Sequence, residues 1–393
     1  MVCPTAIQGA ARRTCPGRMS PNFCYLAYMD RTAQPTAARL VSLDVFRGAT
    51  MALMVLVNTP GDGAHTYGQL QHAEWNGWTL TDTVFPSFLW IVGVAITLSL
   101  GKRMAAGDAR GHLFAQVLRR AAILYALGLV VYAYPFSLST QRLLGVLQRI
   151  AICYLIASVI YLTTGVRGQL IWIVSLLAAY WLIMKLVPVP GYGAGDLAVG
   201  HNLANYIDRI VLGSHNYAGT RTWDPEGIVS TIPAIATALF GILAGHILRM
   251  RRQLSARAAW LLGSGAVLIA LGLIASIWLP INKKLWTSSY ALLMAGLDFA
   301  VFAICLWLVD VRGFQRAVKP LTIMGMNAIT VYMISELLDE ALGALHWRGP
   351  LYRAVFVPLA SPMNASLLYA AAYTALLWLI AYGMYRRGWF WRV

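Results

Sequence analysis

Charge is scarce in this sequence: 12% of its 393 residues are Asp, Glu, Lys or Arg, while 59% are hydrophobic. A soluble domain has nowhere to bury so much apolar surface, and a mean hydropathy of +0.62 excludes one. Acidic residues are scarcer still, 15 against 31 Lys and Arg. The basic excess falls in short clusters between apolar runs rather than on one soluble face. That pattern argues against nucleic acid and for membrane topology plus contacts to anionic lipid or phosphorylated ligands. The five cysteines are Cys3, Cys15 and Cys24 near the start and Cys153 and Cys305 inside apolar runs. They form no CxxC or Cys/His ligand spacing, so neither a disulfide framework nor a metal site is expected. The first 38 residues carry Arg12, Arg13, Arg18 and Arg31 but no apolar h-region, which reads as a disordered basic tail rather than a signal peptide, with Met29 as an alternative start. No run alternates with the period of a barrel strand.

What is present is a series of apolar runs long enough to cross a bilayer as helices. Their breakers place about ten spans near 41–59, 79–100, 114–134, 142–163, 169–187, 228–249, 258–280, 286–310, 318–340 and 364–386, with a short interfacial segment around Pro350 to Pro362. The fold class is an all-α polytopic bundle, and residues 39–393 read as one membrane domain. Lys and Arg in short loops stay on the cytoplasmic side. Lys102, Arg103, Arg110, Arg167, Arg249, Arg251, Arg252, Arg257, Arg312, Arg316, Lys319, Arg386, Arg387 and Arg392 all fall on one side of a ten-span chain. Both termini are therefore expected in the cytoplasm. Lys283 and Lys284 are the exception on the outer side, and such an exception suggests work other than topology.

The stretch from Val57 to Gly93 organises the rest. It leaves an apolar helix at Asn58, crosses a loop with no Lys or Arg but with His65, His72 and Glu74, and re-enters a helix at Asp82. His72 can accept and donate a proton near neutral pH, although an interfacial histidine is more often structural. Glu74, Asn76 and Asp82 are near enough in sequence to orient its ring, and Asp82 also suits a first-turn acid. Asn58, before Pro60 and Gly61, reads first as a helix terminator and second as a catalytic amide. In WDPEG, Asp224, Pro225 and Glu226 read first as cap, first position and first turn of a helix, though two carboxylates there also suit an amine or sugar hydroxyls. Asp44 and Arg47 are spaced to pair. Arg119, Arg120 and Arg149 lie within or beside apolar runs, where a cation snorkels or faces the bundle interior. Asn327 and Glu336 add polar groups to another span.

SLDVFRG, VNTPG, HAEWNGWTLTDTVFPSFLWIVG, GVLQRIAICY, NYIDRIVLG, DPEGIVSTIPA, INKKLWTSSY and GMNAITVY occur in this order. The series resembles the heparan-α-glucosaminide N-acetyltransferase family over about residues 39–388. The resemblance implies transfer of the acetyl group of cytoplasmic acetyl-CoA, across the membrane, to the amino group of a terminal glucosamine. It implies His72 as the catalytic histidine with Asn58 as its functional partner. Asp82, Trp75, Asp224, Glu226, Lys284 and Asn327 are the expected sugar-side residues, and Arg47, Arg119, Arg120, Arg149 and Arg249 the expected contacts to acetyl-CoA. No metal is implied, and a homodimer is. The eukaryotic enzyme's extra N-terminal lumenal domain and first span have no counterpart in these motifs, so a bacterial inner-membrane member is expected.

A thioester is already activated, so such an enzyme supplies a deprotonated amine, alignment and oxyanion stabilisation. His72 either attacks the thioester to form an acetyl-imidazole or acts as general base on the amine in a ternary complex. The competing readings are a sugar transporter with the same fold, which would call for paired interrupted helices in two related halves, and an O-acetyltransferase of an envelope glycan.

Overall fold

Inside a bilayer every backbone N–H and C=O must be satisfied within its own segment, and the apolar runs accordingly close into helices. The computed structural model describes residues 40–134 and 136–391. The expected tail, with its arginines, its three cysteines and Met29, lies outside the described residues, as does Arg392. The α-helices of more than four residues are α1 Val41–Asn58, α2 Val84–Ala105, α3 Arg110–Val131, α4 Val146–Thr163, α5 Val166–Leu186, α6 Leu203–Val211, α7 Thr231–Leu248, α8 Leu254–Ala275, α9 Ser288–Leu306, α10 Lys319–Met326, α11 Ala328–Ala344 and α12 Pro362–Arg386. Among the described residues nine helices are long and apolar enough to span, and the bent pair α10 and α11 makes up to ten. Among the described residues one small sheet pairs Pro188–Val189 with Gly193–Ala194.

Burial sorts the spans into two layers. The apolar windows of α1, α2, α4, α7 and α9 are 56–78% buried, whereas those of α3, α5, α8 and α12 are 22–28% buried. The first set forms the interior and the second presents apolar side chains outward, as a lipid-facing ring requires. Close approach within the interior depends on missing side chains. A Cβ at Gly93 would run into the Ala238 carbonyl and one at Gly241 into the Trp90 carbonyl, so α2 and α7 meet backbone to backbone. Around Trp90, Phe46, Phe299 and Phe302 lie with ring centroids 5.3–5.9 Å away, which fills the interior at the α1, α2 and α9 contact.

Two details depart from the sequence expectation, and a third lay outside it. The span expected at 318–340 is broken: α10 and α11 bend by 78° at Asn327. There the Asn327 amide gives a hydrogen bond to the Trp389 carbonyl and accepts one from the Trp391 N–H (3.2 and 3.3 Å). Second, DPEG does not begin a helix. Gly227 N–H bonds to the Asp224 carbonyl at 2.9 Å, closing a turn, and α7 begins only at Thr231. Third, the N–H groups of Val41 and Ser42 at the start of α1 are satisfied by the Asp310 carboxylate at 3.2 and 3.0 Å. A distant acid thus does what a local cap would otherwise do.

Candidate active site

The loop between α1 and α2 has little regular structure, so side chains hold its shape. Asp82 is its anchor. It is 1% exposed, and one carboxylate oxygen, Oδ2, accepts from Ala73 N–H (3.1 Å), Thr79 N–H (3.0 Å) and the Thr79 hydroxyl (3.1 Å). The Tyr290 hydroxyl of α9 donates to the Asp82 backbone carbonyl at 2.6 Å. With Oδ2 saturated, Oδ1 faces His72 Nδ1 at 2.6 Å. A carboxylate can only accept there, so Nδ1 carries the ring proton and Nε2 keeps its lone pair.

The His72 side chain is 44% accessible, yet burial is the largest influence on its titration. Accessible surface in crowded surroundings marks a residue lining a recess. Burial and the Lys283 ammonium push the His72 pKa below its ordinary value, and Asp82 and Glu226 only partly offset them. The ring is thus neutral near pH 7, with Nε2 available as base or nucleophile.

A second cluster is built around Arg142, which the sequence reading did not single out. Its guanidinium forks onto Asp224 (2.8 and 2.6 Å) and reaches Glu226 at 2.6 Å, between the rings of Tyr132 and Tyr217 at 4.8 and 4.6 Å. The DPEG turn aims both carboxylates at it, with Asp224 Oδ1 also accepting the Glu226 N–H at 2.9 Å. Burial opposes ionisation of Glu226, but Lys283, Arg142 and Arg149 overcome it and hold the carboxyl down to about 2. Behind the turn, Asp208 of α6 accepts the N–H groups of Ile228 (2.9 Å) and Asp224 (3.3 Å). Burial raises Asp208 to about 6. Its carboxylate occupies the space a Cβ at residue 227 would need, which explains Gly227.

Arg149 is fully buried. It bonds the Gly227 carbonyl at 3.1 Å and the Ser230 hydroxyl, and stacks over Trp286 at 5.2 Å. Its Nε and Nη1 have no partner among the described residues. Asn58, accessible at the end of α1, lies beside Glu336 of α11, and Glu336 lies within electrostatic reach of Tyr132 and Arg142. Asn58, His72, Asp82, Arg142, Arg149, Asp224, Glu226, Lys283 and Glu336 therefore converge at one end of the bundle.

Other expected residues stand elsewhere or are already occupied. Trp75 donates to the Leu197 carbonyl (3.0 Å) and packs edge-on against Trp223, tying the loop to the segment before α6. Lys284 donates to the Glu74 carbonyl at 2.6 Å; its neighbour Lys283 lies within electrostatic reach of His72. Asn327, joined to Trp389 and Trp391 beyond α12, lies at the opposite end of the bundle from His72. Arg47 pairs with Asp44 at 3.4 Å, near the start of α1. Arg119 is exposed, whereas Arg120 turns inward over Tyr154 at 5.0 Å. Arg249 bonds the Tyr161 hydroxyl at 2.9 Å and the Gly101 carbonyl at 3.3 Å. A signal for Arg142 existed: it is a lone cation at the end of a span expected to face outward, against the usual charge bias.

Residues 39–279 match the family model described as heparan-alpha-glucosaminide N-acetyltransferase, catalytic. That stretch holds Asn58, His72, Asp82, Arg142, Arg149, Asp208, Asp224 and Glu226. The heparan-alpha-glucosaminide N-acetyltransferase of Mus musculus is 29% identical, over 93% of this chain and 62% of its own length. That of Homo sapiens is 30% identical, over 90% of this chain and 60% of its own. The chain spans about three-fifths of the length of the curated relatives it matches. A model match over more than half of the sequence makes this chain a member of the heparan-alpha-glucosaminide N-acetyltransferase family.

Proposed function

We propose that the protein is a transmembrane N-acetyltransferase, moving the acetyl group of acetyl-CoA to the amino group of a glucosamine-type sugar. The observation that carries this reading is His72, with Nδ1 fixed on Asp82 at 2.6 Å and Nε2 unblocked in a recess. That is the arrangement of an oriented general base or nucleophile. The membrane is a bacterial inner membrane with both termini cytoplasmic, and the sugar is met on the periplasmic side.

The donor is anionic and enters from the cytoplasm, so its phosphates need cations at the end of the bundle away from His72. Arg249 and Arg120 supply them. The acceptor needs carboxylates and amides at the other end, where Asp224, Glu226, Glu336 and Asn58 gather. Asn58 orients the acceptor amine or the reacting carbonyl. The acetyl group then passes by way of acetyl-imidazole or directly in a ternary complex, and trapping labelled His72 after incubation with donor alone distinguishes the two.

The test is acetyl transfer in proteoliposomes, with radiolabelled acetyl-CoA on one side and glucosamine on the other, for wild type and His72→Ala. Labelled N-acetylglucosamine from wild type alone is the expected result. Sugar crossing without acetylation, independent of His72, would instead favour a transporter. That reading needs two corresponding broken helices, and the described residues hold one bent pair.

A further inference from the structure

We propose that Lys283 is a further catalytic residue, its ammonium meeting the oxygen of the reacting acetyl carbonyl and stabilising the negative charge that oxygen acquires. The inference rests on the acetyl-transfer reading and adds the electrophilic half of the site.

The backbone around Lys283 is fixed against the loop that carries His72. Gly77 N–H bonds the Ile281 carbonyl at 2.8 Å, Gly77 and Asn282 form a parallel bridge, and the Asn282 amide donates to Asn76 at 3.3 Å. Asn282 is itself held by Thr287 and Leu285 at 3.1 and 2.9 Å. After the lysines the chain turns at Trp286, whose φ is +50°. That is a costly conformation for a tryptophan, and it is sustained by full burial against Phe85 and Tyr290.

The two lysines then part. Lys284 goes to the Glu74 carbonyl, whereas Lys283 lies within electrostatic reach of His72, Asp82 and Glu226. Its ammonium makes no direct hydrogen bond or ion pair to any described residue. A purely structural counter-ion on a flexible stem closes onto its carboxylate, as Arg142 does onto Glu226 at 2.6 Å. Lys283 stays half-buried and uncommitted beside the reactive ring, as a cation awaiting an anion does.

The chemistry accounts for its place. When the acceptor nitrogen attacks the thioester carbon, a C–N bond forms, the π pair moves to oxygen and the amine proton passes to His72 Nε2. Collapse re-forms C=O and breaks C–S; the pair leaves on sulfur, which takes the proton from His72. If His72 Nε2 attacks first, the same oxygen carries the same charge. In the resting site Lys283 disfavours imidazolium and keeps the base neutral. In the adduct the oxyanion offsets that repulsion, so the lysine acts where charge develops.

The experiment compares wild type, Lys283→Met and Lys283→Arg in steady-state acetyl transfer. It also follows the pH dependence of His72 carbethoxylation by diethylpyrocarbonate. Loss of one oxyanion partner predicts a kcat about 10²–10³-fold lower in Lys283→Met, with both KM values little changed and partial recovery in Lys283→Arg. The carbethoxylation midpoint moves to higher pH in Lys283→Met, because a cation that disfavours imidazolium is gone. A Lys283→Met kcat within about threefold of wild type overturns the proposal, as does a loss carried wholly by KM. An unmoved midpoint overturns it too, and needs no turnover. Wild-type protein that acetylates no amino sugar overturns the acetyl-transfer reading itself, and this inference with it.

Discussion

Replacing Asp82 with Asn tests the site at its most constrained atom. The substitution keeps the shape of the side chain and exchanges one oxygen for NH₂. Which oxygen is lost is not arbitrary. Oδ2 receives three donors, Ala73 N–H, Thr79 N–H and the Thr79 hydroxyl, so the amide keeps its oxygen there and turns its NH₂ toward His72. Nδ1 must then accept, the ring proton moves to Nε2, and the lone pair that serves as base or nucleophile is gone.

The magnitude follows from that inverted tautomer. The corresponding change in a serine protease triad lowers kcat about 10⁴-fold, equivalent to about 5 kcal/mol of barrier at 1.36 kcal/mol per decade. The expected loss in Asp82→Asn is between about 10² and 10⁴, spanning a pure general-base role and a fully oriented catalytic histidine. Raising the pH does not rescue it, since the Nε2 proton is not titrated off a neutral imidazole. Initial rates of acetyl transfer for Asp82→Asn, His72→Ala and the double variant provide the assay. The double variant should be no slower than His72→Ala, because the two residues act as a unit. An Asp82→Asn enzyme retaining more than about a tenth of wild-type kcat would refute the assigned tautomer.

Arg142→Met leaves Asp224 and Glu226 buried without their cation, so the protein should lose about 3–5 kcal/mol of stability; an unchanged detergent melting curve would contradict this. Asp208 predicts a pH effect of definite sign. Its carboxyl is raised from 3.8 to about 6 in the folded protein, so its contribution to stability is complete below about 3.8 and is lost as the pH rises through about 6. Hydrogen exchange in segment 203–230 should accordingly be slower at pH 5 than at pH 7.5, after correction for intrinsic rates. Asp208→Asn should flatten the difference, and equal protection at both pH values in wild type would contradict the assignment. Gly227→Ala puts a methyl group into the Asp208 carboxylate, which should cost about 1–3 kcal/mol and be seen as faster proteolysis of the same segment.

How much of this was legible in the sequence depended on range. The spans were, because a bilayer imposes length and composition on each separately. Asp82 was within reach as a partner for His72, since it lies ten positions further along the loop, but sequence spacing left it level with Glu74 and Asn76. Three donors converging on Asp82 Oδ2 decide between them. Arg142 joins acids 82 and 84 residues away, and no local pattern encodes such a contact. Asn327 looked like a site residue because an amide in a span needs a partner; its depth along the bundle was invisible, and its partner is the chain beyond α12. The two lysines could not be told apart for a similar reason, since nothing in INKKLW says which side chain comes within electrostatic reach of His72.

Adjacent arginines on α3 show what one structural fact does to an expectation. Neighbouring residues on a helix point about 100° apart, so Arg119 and Arg120 cannot both face the interior. Arg120 does, over Tyr154, with its Nε buried and without a partner among the described residues. Arg249 meets Tyr161. Tyr154 and Tyr161 are seven residues apart on α4, hence on one face and ~10.5 Å apart along the axis. The two cations therefore line a single face of α4, which ascends from the Arg249 end of the bundle toward Arg149 in its first turn. On the proposed function, a phosphorylated donor entering from that end would meet Arg249 first and Arg120 deeper. Arg249→Gln and Arg120→Gln should each raise the KM for acetyl-CoA about tenfold, the loss of one charge-assisted contact, with little change for the sugar. Arg119→Gln should have the smallest effect of the three. Equal effects at all three positions would mean that the donor senses only net charge at the membrane surface, and the line along α4 would then have no part in binding it.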